Sequence, residues 1–160
     1  MNKQTLAATG LAVAATSGIG SVASRAQVTR WYSRLRKPPY VPPNVVFPIA
    51  WTTLYADIAV TSATAIDRLR ADGRHDEAQK YVAALAANLI LNGGWSWLFF
   101  KYQKLGASAV GAVVLAASSA DLTRRTAAAD SRAGAALTPY PLWCAFATLM
   151  SAHIWVLNRR

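Results

Sequence analysis

Residues 81–100 read YVAALAANLILNGGWSWLFF, twenty residues without a charged side chain. A helix rises about 1.5 Å per residue and the hydrocarbon core of a bilayer is about 30 Å thick, so this stretch alone is long enough to cross a membrane. The pattern repeats on both sides of it. Gln4 to Ser24 carries no charge over 21 residues, Ala133 to Asn158 none over 26, and Pro38 to Ile66 only Asp57. A shorter blank of 16 residues runs from Leu105 to Ala120, and Leu122 and Thr123 lengthen it while Arg124 and Arg125 reach toward headgroups. The expectation is an all-α, multi-pass integral membrane protein: a bundle of five transmembrane helices at residues 4–24, 45–66, 81–100, 105–123 and 136–157. About fifty residues lie outside those spans, too few for a separate soluble domain, so residues 1–160 are read as a single membrane domain.

Composition agrees. Of the 160 residues, 54% are hydrophobic and only 15% charged, where about 25% is usual in soluble domains. The net charge of +10 does not indicate nucleic acid, because the cations sit in short connectors between apolar runs and not on one exposed face. Such loops suit anionic headgroups. Cys144, the single cysteine, allows no intrachain disulfide, and no Cys/His cluster has metal-site spacing, so no metal is expected. With five spans, one face carries eight cations between the flanks and loops, from Lys3 to Arg132, and the other nine, including Arg25 and Arg160. Orientation follows cation bias, so this near-balance leaves the topology open. The first run could also be read as a cleaved signal peptide ending at Ser21-Val22-Ala23. Ala8, Ala12, Thr16 and Gly20 favour retention, since small residues at four-residue spacing let helices approach closely in lipid.

The segment from Trp31 to Tyr55, WYSRLRKPPYVPPNVVFPIAWTTLY, joins the first two spans. Prolines 38, 39, 42 and 43 lack amide hydrogens and push the residues before them toward extended conformations, which rules out a regular helix there and predicts a long, ordered, proline-rich connector. Pro48 is tolerated early in the second span, where helical amides still lack partners.

This stretch resembles the tryptophan-rich sensory protein and translocator protein family. The pattern is carried by Trp31-Tyr32, Leu35, Lys37-Pro38, Pro42-Pro43, Phe47, Trp51 and Leu54-Tyr55, then by Asn92, Trp95-Ser96 and Phe99-Phe100, and last by Pro139-Tyr140, Trp143, Phe146-Ala147-Thr148 and Asn158. The three blocks follow in order over nearly the whole chain. The resemblance implies five transmembrane helices whose first connector covers a pocket, porphyrin or haem as ligand, lipid or sterol as further partners, and a homodimer. It implies tetrapyrrole sensing, scavenging or transport, or else light-dependent porphyrin breakdown. The chain departs from the family pattern at Tyr40, at Ser151, and at Ala152, where animal members carry the Tyr of a proposed cholesterol motif. Val28-Tyr32-Arg34 and Leu98-Tyr102-Lys104 meet that loose consensus elsewhere.

Helical periodicity supports a pocket on separate grounds. At about 100° per residue, Asn88, Asn92, Trp95 and Phe99 share one face of the third span, Trp51, Tyr55 and Ile58 one face of the second, and Trp143, Ala147, Met150 and Ile154 one face of the fifth, with Ser151 beside them. Spacing alone leaves pocket lining and helix packing as alternatives. Joined to the resemblance, it nominates Tyr32, Pro42, Phe47, Trp51, Asn92, Trp95, Ser96, Phe99, Trp143, Phe146, Ala147 and Met150 as ligand-binding residues. These stripes hold no carboxylate, lysine or cysteine, so no catalytic constellation is expected; Trp51 and Trp143 would be the oxidisable indoles of a photochemical enzyme. His153 is read as a hydrogen-bonded packing residue before a haem ligand. Asp57 is read as lying off the pocket face, hydrogen-bonded by Thr53 or Thr61. Gly93-Gly94 is the expected dimer contact, with the small residues of the first span packed inside the monomer.

Overall fold

The computed structural model describes residues 1–23 and 26–159, without the side chains of residues 26–29. Ser24, at the end of the first expected span, Arg25 and Arg160 therefore lie outside the described residues, as does the side chain of Val28. The regular structure of the described residues is all helical, with α1 (Lys3–Ala23), α2 (Ala26–Arg34), α3 (Val46–Ala71), α4 (His75–Ser96), α5 (Leu105–Ala129), α6 (Ser131–Leu137) and α7 (Pro139–Asn158). A π-helical turn, Trp97–Lys101, extends α4.

By length and composition, four segments among the described residues can cross a membrane: Lys3–Ala23, His75–Lys101, Leu105–Ala129 and Ser131–Asn158. The second expected span falls in α3, whose 26 residues are long enough, but Asp57 and a run of threonines and serines lower its hydropathy. Helix boundaries differ from the charge-free runs for local reasons. Asp130, in extended conformation, ends α5 and caps α6 by accepting from the Ala133 amide at 2.9 Å. Pro139 then starts α7 as a fresh helix, since its missing N–H falls where no intrahelical bond is needed. Helix α5 continues past Asp121 because Arg124 and Arg125 both pair with that carboxylate at 2.7 Å, instead of only extending toward headgroups. The connector also holds a helix, α2, that the sequence reading did not anticipate.

The end of the bundle away from the connector is closed by polar bonds between helices. Tyr81 Oη meets Ser62 Oγ at 3.1 Å and Thr126 Oγ1 at 2.8 Å, tying α4 to α3 and α5. In lipid, such bonds contribute about 0.6 kcal/mol each and up to about 1.7, while apolar contact between helices gains little over contact with acyl chains. Gly134 packs so closely on Ala127 that a Cβ there would overlap its backbone.

Helix α1 packs on α3 and α4 through Thr5, Thr9, Val13, Thr16 and Gly20, with Thr9 Oγ1 donating to Ala59 O at 2.9 Å. This corrects the expected ribbon: Thr16 and Gly20 are buried, but Ala8 and Ala12 are exposed. Steps of four residues advance about 40° too far around a helix, so a strict four-residue ribbon drifts off the packing face. Gly93 faces Thr16 inside the monomer, at 3.7 Å from its Cγ2 to a built Cβ, whereas Gly94 faces open space. The Asp57 assignment also changes. Thr53 and Thr61 donate to the carbonyls of Ile49 and Asp57, at 2.9 and 2.7 Å, so neither hydroxyl reaches the Asp57 carboxylate.

Candidate functional site

Beneath the connector, α1, α2, α3, α4, α5 and α7 enclose a cavity of 510 Å³, within the usual range of small-molecule sites. A smaller groove of 360 Å³ at the opposite end, between α1, α3 and α4, has no aromatic wall.

The walls follow from the helical stripes. Helix α3 contributes Phe47, Trp51 and Tyr55 at i, i+4 and i+8; α7 contributes Trp143, Ala147, Met150, Ser151 and Ile154; α4 contributes Asn92, Trp95 and Ser96. The π turn carries one extra residue, which turns both Phe99 and Phe100 to the cavity where a regular helix would present only one. Trp51 and Trp143 meet edge-on, centroids 6.4 Å apart at 90°, and Trp95 stacks on Phe99 at 5.1 Å. Tyr32 descends from α2 to complete the roof.

Of the twelve nominated residues, all but Pro42 and Phe146 line this cavity. Pro42 stays in the connector, just past a turn in which the Val41 amide bonds Pro38 O at 3.2 Å. Phe146 is turned away by its packing against Trp143 and under the Tyr40 ring. The nomination missed Ser17, Gly20 and Ser21 of α1, Asn44, Pro48 and Thr52, Leu115 of α5, and Phe100. A helix that contributes only small residues leaves no aromatic stripe to find. Tyr55, Ser151 and Ile154 had been placed on the right faces without being nominated.

The polar groups have a different division of labour from the one their types suggest. Asn92 is engaged at both ends of its amide: its Oδ1 accepts from Tyr55 Oη at 2.7 Å and its Nδ2 donates to Tyr140 Oη at 3.0 Å. Tyr140 donates on to Asn88 Oδ1 at 2.8 Å, and Asn88 Nδ2 reaches Ser118 and Ser119 on α5. Asn92 therefore stands in the cavity wall as one end of a structural relay that continues through Tyr140 and Asn88. The Trp95 indole N–H is likewise used, on Ser108 O at 3.0 Å. Two buried polar atoms have no partner among the described residues, Trp143 Nε1 and Ser151 Oγ, and both residues are in the cavity wall.

The connector is fastened over the site at two points. Asn158, at the end of α7, donates from Nδ2 to Arg36 O at 2.8 Å and accepts from the Arg36 amide at 3.0 Å. Tyr40 Oη pairs with His153 Nδ1 at 3.1 Å, so His153 lies on the outer face of α7, away from the cavity. Lys37 lies over the Tyr32 ring, its Nζ 4.4 Å from the centroid, and loss of water holds the ammonium below its usual pKa; burial pushes the Tyr32 phenol up. Among the described residues no group of three His, Cys, Asp or Glu gathers to hold a metal.

The TspO/MBR family model matches residues 8–156 of this chain. The chain belongs to the TspO/MBR family. It is 34% identical over 158 residues to the tryptophan-rich protein TspO of Archaeoglobus fulgidus, covering 99% of each chain. It is 30% identical over 131 residues to the protein CrtK of Rhodobacter capsulatus, covering 80% of this chain and 78% of that one. With the translocator protein of Bos taurus it shares 29% over 141 residues, 88% of this chain and 82% of the relative. Family membership and the four spanning segments make it a multi-pass integral membrane protein.

Proposed function

We propose that the chain binds porphyrin or haem in the cavity beneath the connector and acts in tetrapyrrole sensing, scavenging or transport. The observation that carries this reading is the cavity itself: 510 Å³ walled by Trp51, Trp95, Phe99 and Trp143, with two unpartnered buried donors. Flat aromatic walls suit a flat, largely apolar ring, and isolated donors suit its polar edges. The wall offers no imidazole or thiolate, so the ring is held through its faces and edges and not by a His or Cys bond to iron. In this reading α3, at about 39 Å for 26 residues, is the fifth membrane crossing, with Thr61 and Ser62 turned to its neighbours, and residues 1–160 form a single membrane domain. Two chains pair through α4 at Gly94, whose face is open.

Adding protoporphyrin to the reconstituted protein in the dark tests it: a saturable shift of the porphyrin absorption band is expected, and an unshifted spectrum at all concentrations refutes it.

Light-dependent porphyrin breakdown is the second reading, favoured by the 6.4 Å contact between Trp51 and Trp143 in the wall, which sets two oxidisable indoles against any ligand there. Illumination separates the two. A new absorbing product that is lost on Trp51→Phe or Trp143→Phe supports breakdown, and binding without turnover supports a carrier or sensor.

A further inference from the structure

Ser151 is 1% exposed, lies in the cavity wall, and its hydroxyl has no partner among the described residues. Among the described residues no other buried hydroxyl is left so. A helical serine or threonine can donate to the carbonyl four residues before it. Thr61, Ser108, Ser119 and Thr126 all do so at 2.7 to 2.8 Å, and Thr148, one turn earlier on the same helix, does so at 2.8 Å. The Ala147 carbonyl is the corresponding acceptor for Ser151, yet the hydroxyl does not use it. A buried hydroxyl without a partner is costly, and the cost is removed when a ligand oxygen meets it.

The surroundings indicate which oxygen. Trp143 Nε1, the other unpartnered atom, can only donate, and it lies two turns deeper, about 12 Å along α7. No carboxylate lines the cavity, so nothing in the wall repels an anion. One cation stands close to the roof: Lys37 Nζ lies 4.4 Å over the ring of Tyr32, a residue of the wall. Ser151 belongs to this upper half, between Met150 and Ile154, both packed in one cluster with Tyr32 and Phe99.

We propose that Ser151 determines specificity for a carboxylate on the ligand, its hydroxyl donating to the carboxylate oxygen beneath the connector. The inference rests on the reading of this cavity as a porphyrin site and adds to it the ligand's orientation: carboxylate edge toward the connector, apolar edge toward Trp143.

The test is a two-by-two titration of full-length protein in detergent, parent and Ser151→Ala, with protoporphyrin, which carries carboxylates, and octaethylporphyrin, which carries none. Ser151→Ala removes only the hydroxyl and keeps a strong helix former, so the fold is retained. The expected result is a loss of about tenfold in affinity for protoporphyrin, the size of one charge-assisted hydrogen bond, with octaethylporphyrin unchanged. Equal affinity of both proteins for protoporphyrin overturns the role of Ser151 and leaves the porphyrin site standing. Equal losses for both porphyrins also overturn it, by showing that the hydroxyl supports the wall and not the carboxylate. Failure of the parent to bind either porphyrin removes the site and this inference together.

Discussion

The two ends of the bundle are built on opposite principles. Away from the connector, Ile66, Leu69, Leu122, Leu137 and Tyr81 are buried to 3% exposure or less, and the buried hydroxyls of Tyr81, Ser62 and Thr126 satisfy one another. At the connector end, ring edges meet around empty space, two polar atoms lack partners, and the roof is held by side-chain bonds to one backbone residue and one histidine. The Asn88–Tyr140–Asn92 relay is the boundary between them. The contrast shows that rigidity and binding capacity are segregated: the closed end fixes the helices so that the open end can hold a cavity without collapsing.

Several substitutions can break or sharpen this contrast. The largest effect is expected from Gly134→Ala, where a methyl group would overlap the backbone of Ala127; a destabilisation of about 3 kcal/mol or more should appear as a lowered thermal midpoint in detergent. Little change would mean the closed end has slack. Trp143→Ala should weaken protoporphyrin binding by about 1–3 kcal/mol through lost aromatic contact, with unchanged helical content. Trp155→Ala, on the outer face of the same helix beside Gly106, should cost less affinity. Asn158→Ala releases the roof by about 1 kcal/mol, and its signature is kinetic: faster proteolysis at Arg34, Arg36 and Lys37, slowed in the parent by saturating ligand.

The smallest effect concerns Asp130, where the Ala133 amide and the Arg68 guanidinium, 3.2 Å away, hold the carboxyl below its usual pKa. Because the folded pKa is depressed, the contribution of this group is fully present above the ordinary carboxylate value of about 3.9 and is lost as the pH falls through the folded value. Asp130→Asn should therefore lower stability slightly at neutral pH and flatten the acid side of the profile, the two proteins converging as the pH falls below the folded value. A parallel acid limb in both proteins would show that the pair contributes nothing.

Most of the architecture was legible because lipid imposes long charge-free runs, and the cavity residues because aromatic stripes repeat at helical spacing. What escaped depends on interactions between helices. Asn92 carries the right residue type on the right face, but only the placement of Tyr55 and Tyr140 decides that its amide is tied into a relay between helices. Phe100 was out of phase until the π turn shifted the register. The small residues Ser17, Gly20 and Ser21 become wall only because α1 lies against α4, where Gly20 approaches the Ser96 side chain. Asp57 shows the converse: its expected threonine partners satisfy themselves locally, a competition that spacing cannot reveal.

The central claim, that porphyrin occupies the cavity beneath the connector, is tested most directly by locating the quenched tryptophans. Titration of the reconstituted protein with protoporphyrin should quench fluorescence saturably. Trp51→Phe, Trp95→Phe and Trp143→Phe should each remove a share of that quench, whereas Trp97→Phe and Trp155→Phe, outside the cavity, should leave its amplitude intact. A saturable quench that survives in the first three variants and disappears in the last two would place the ligand elsewhere and contradict the account.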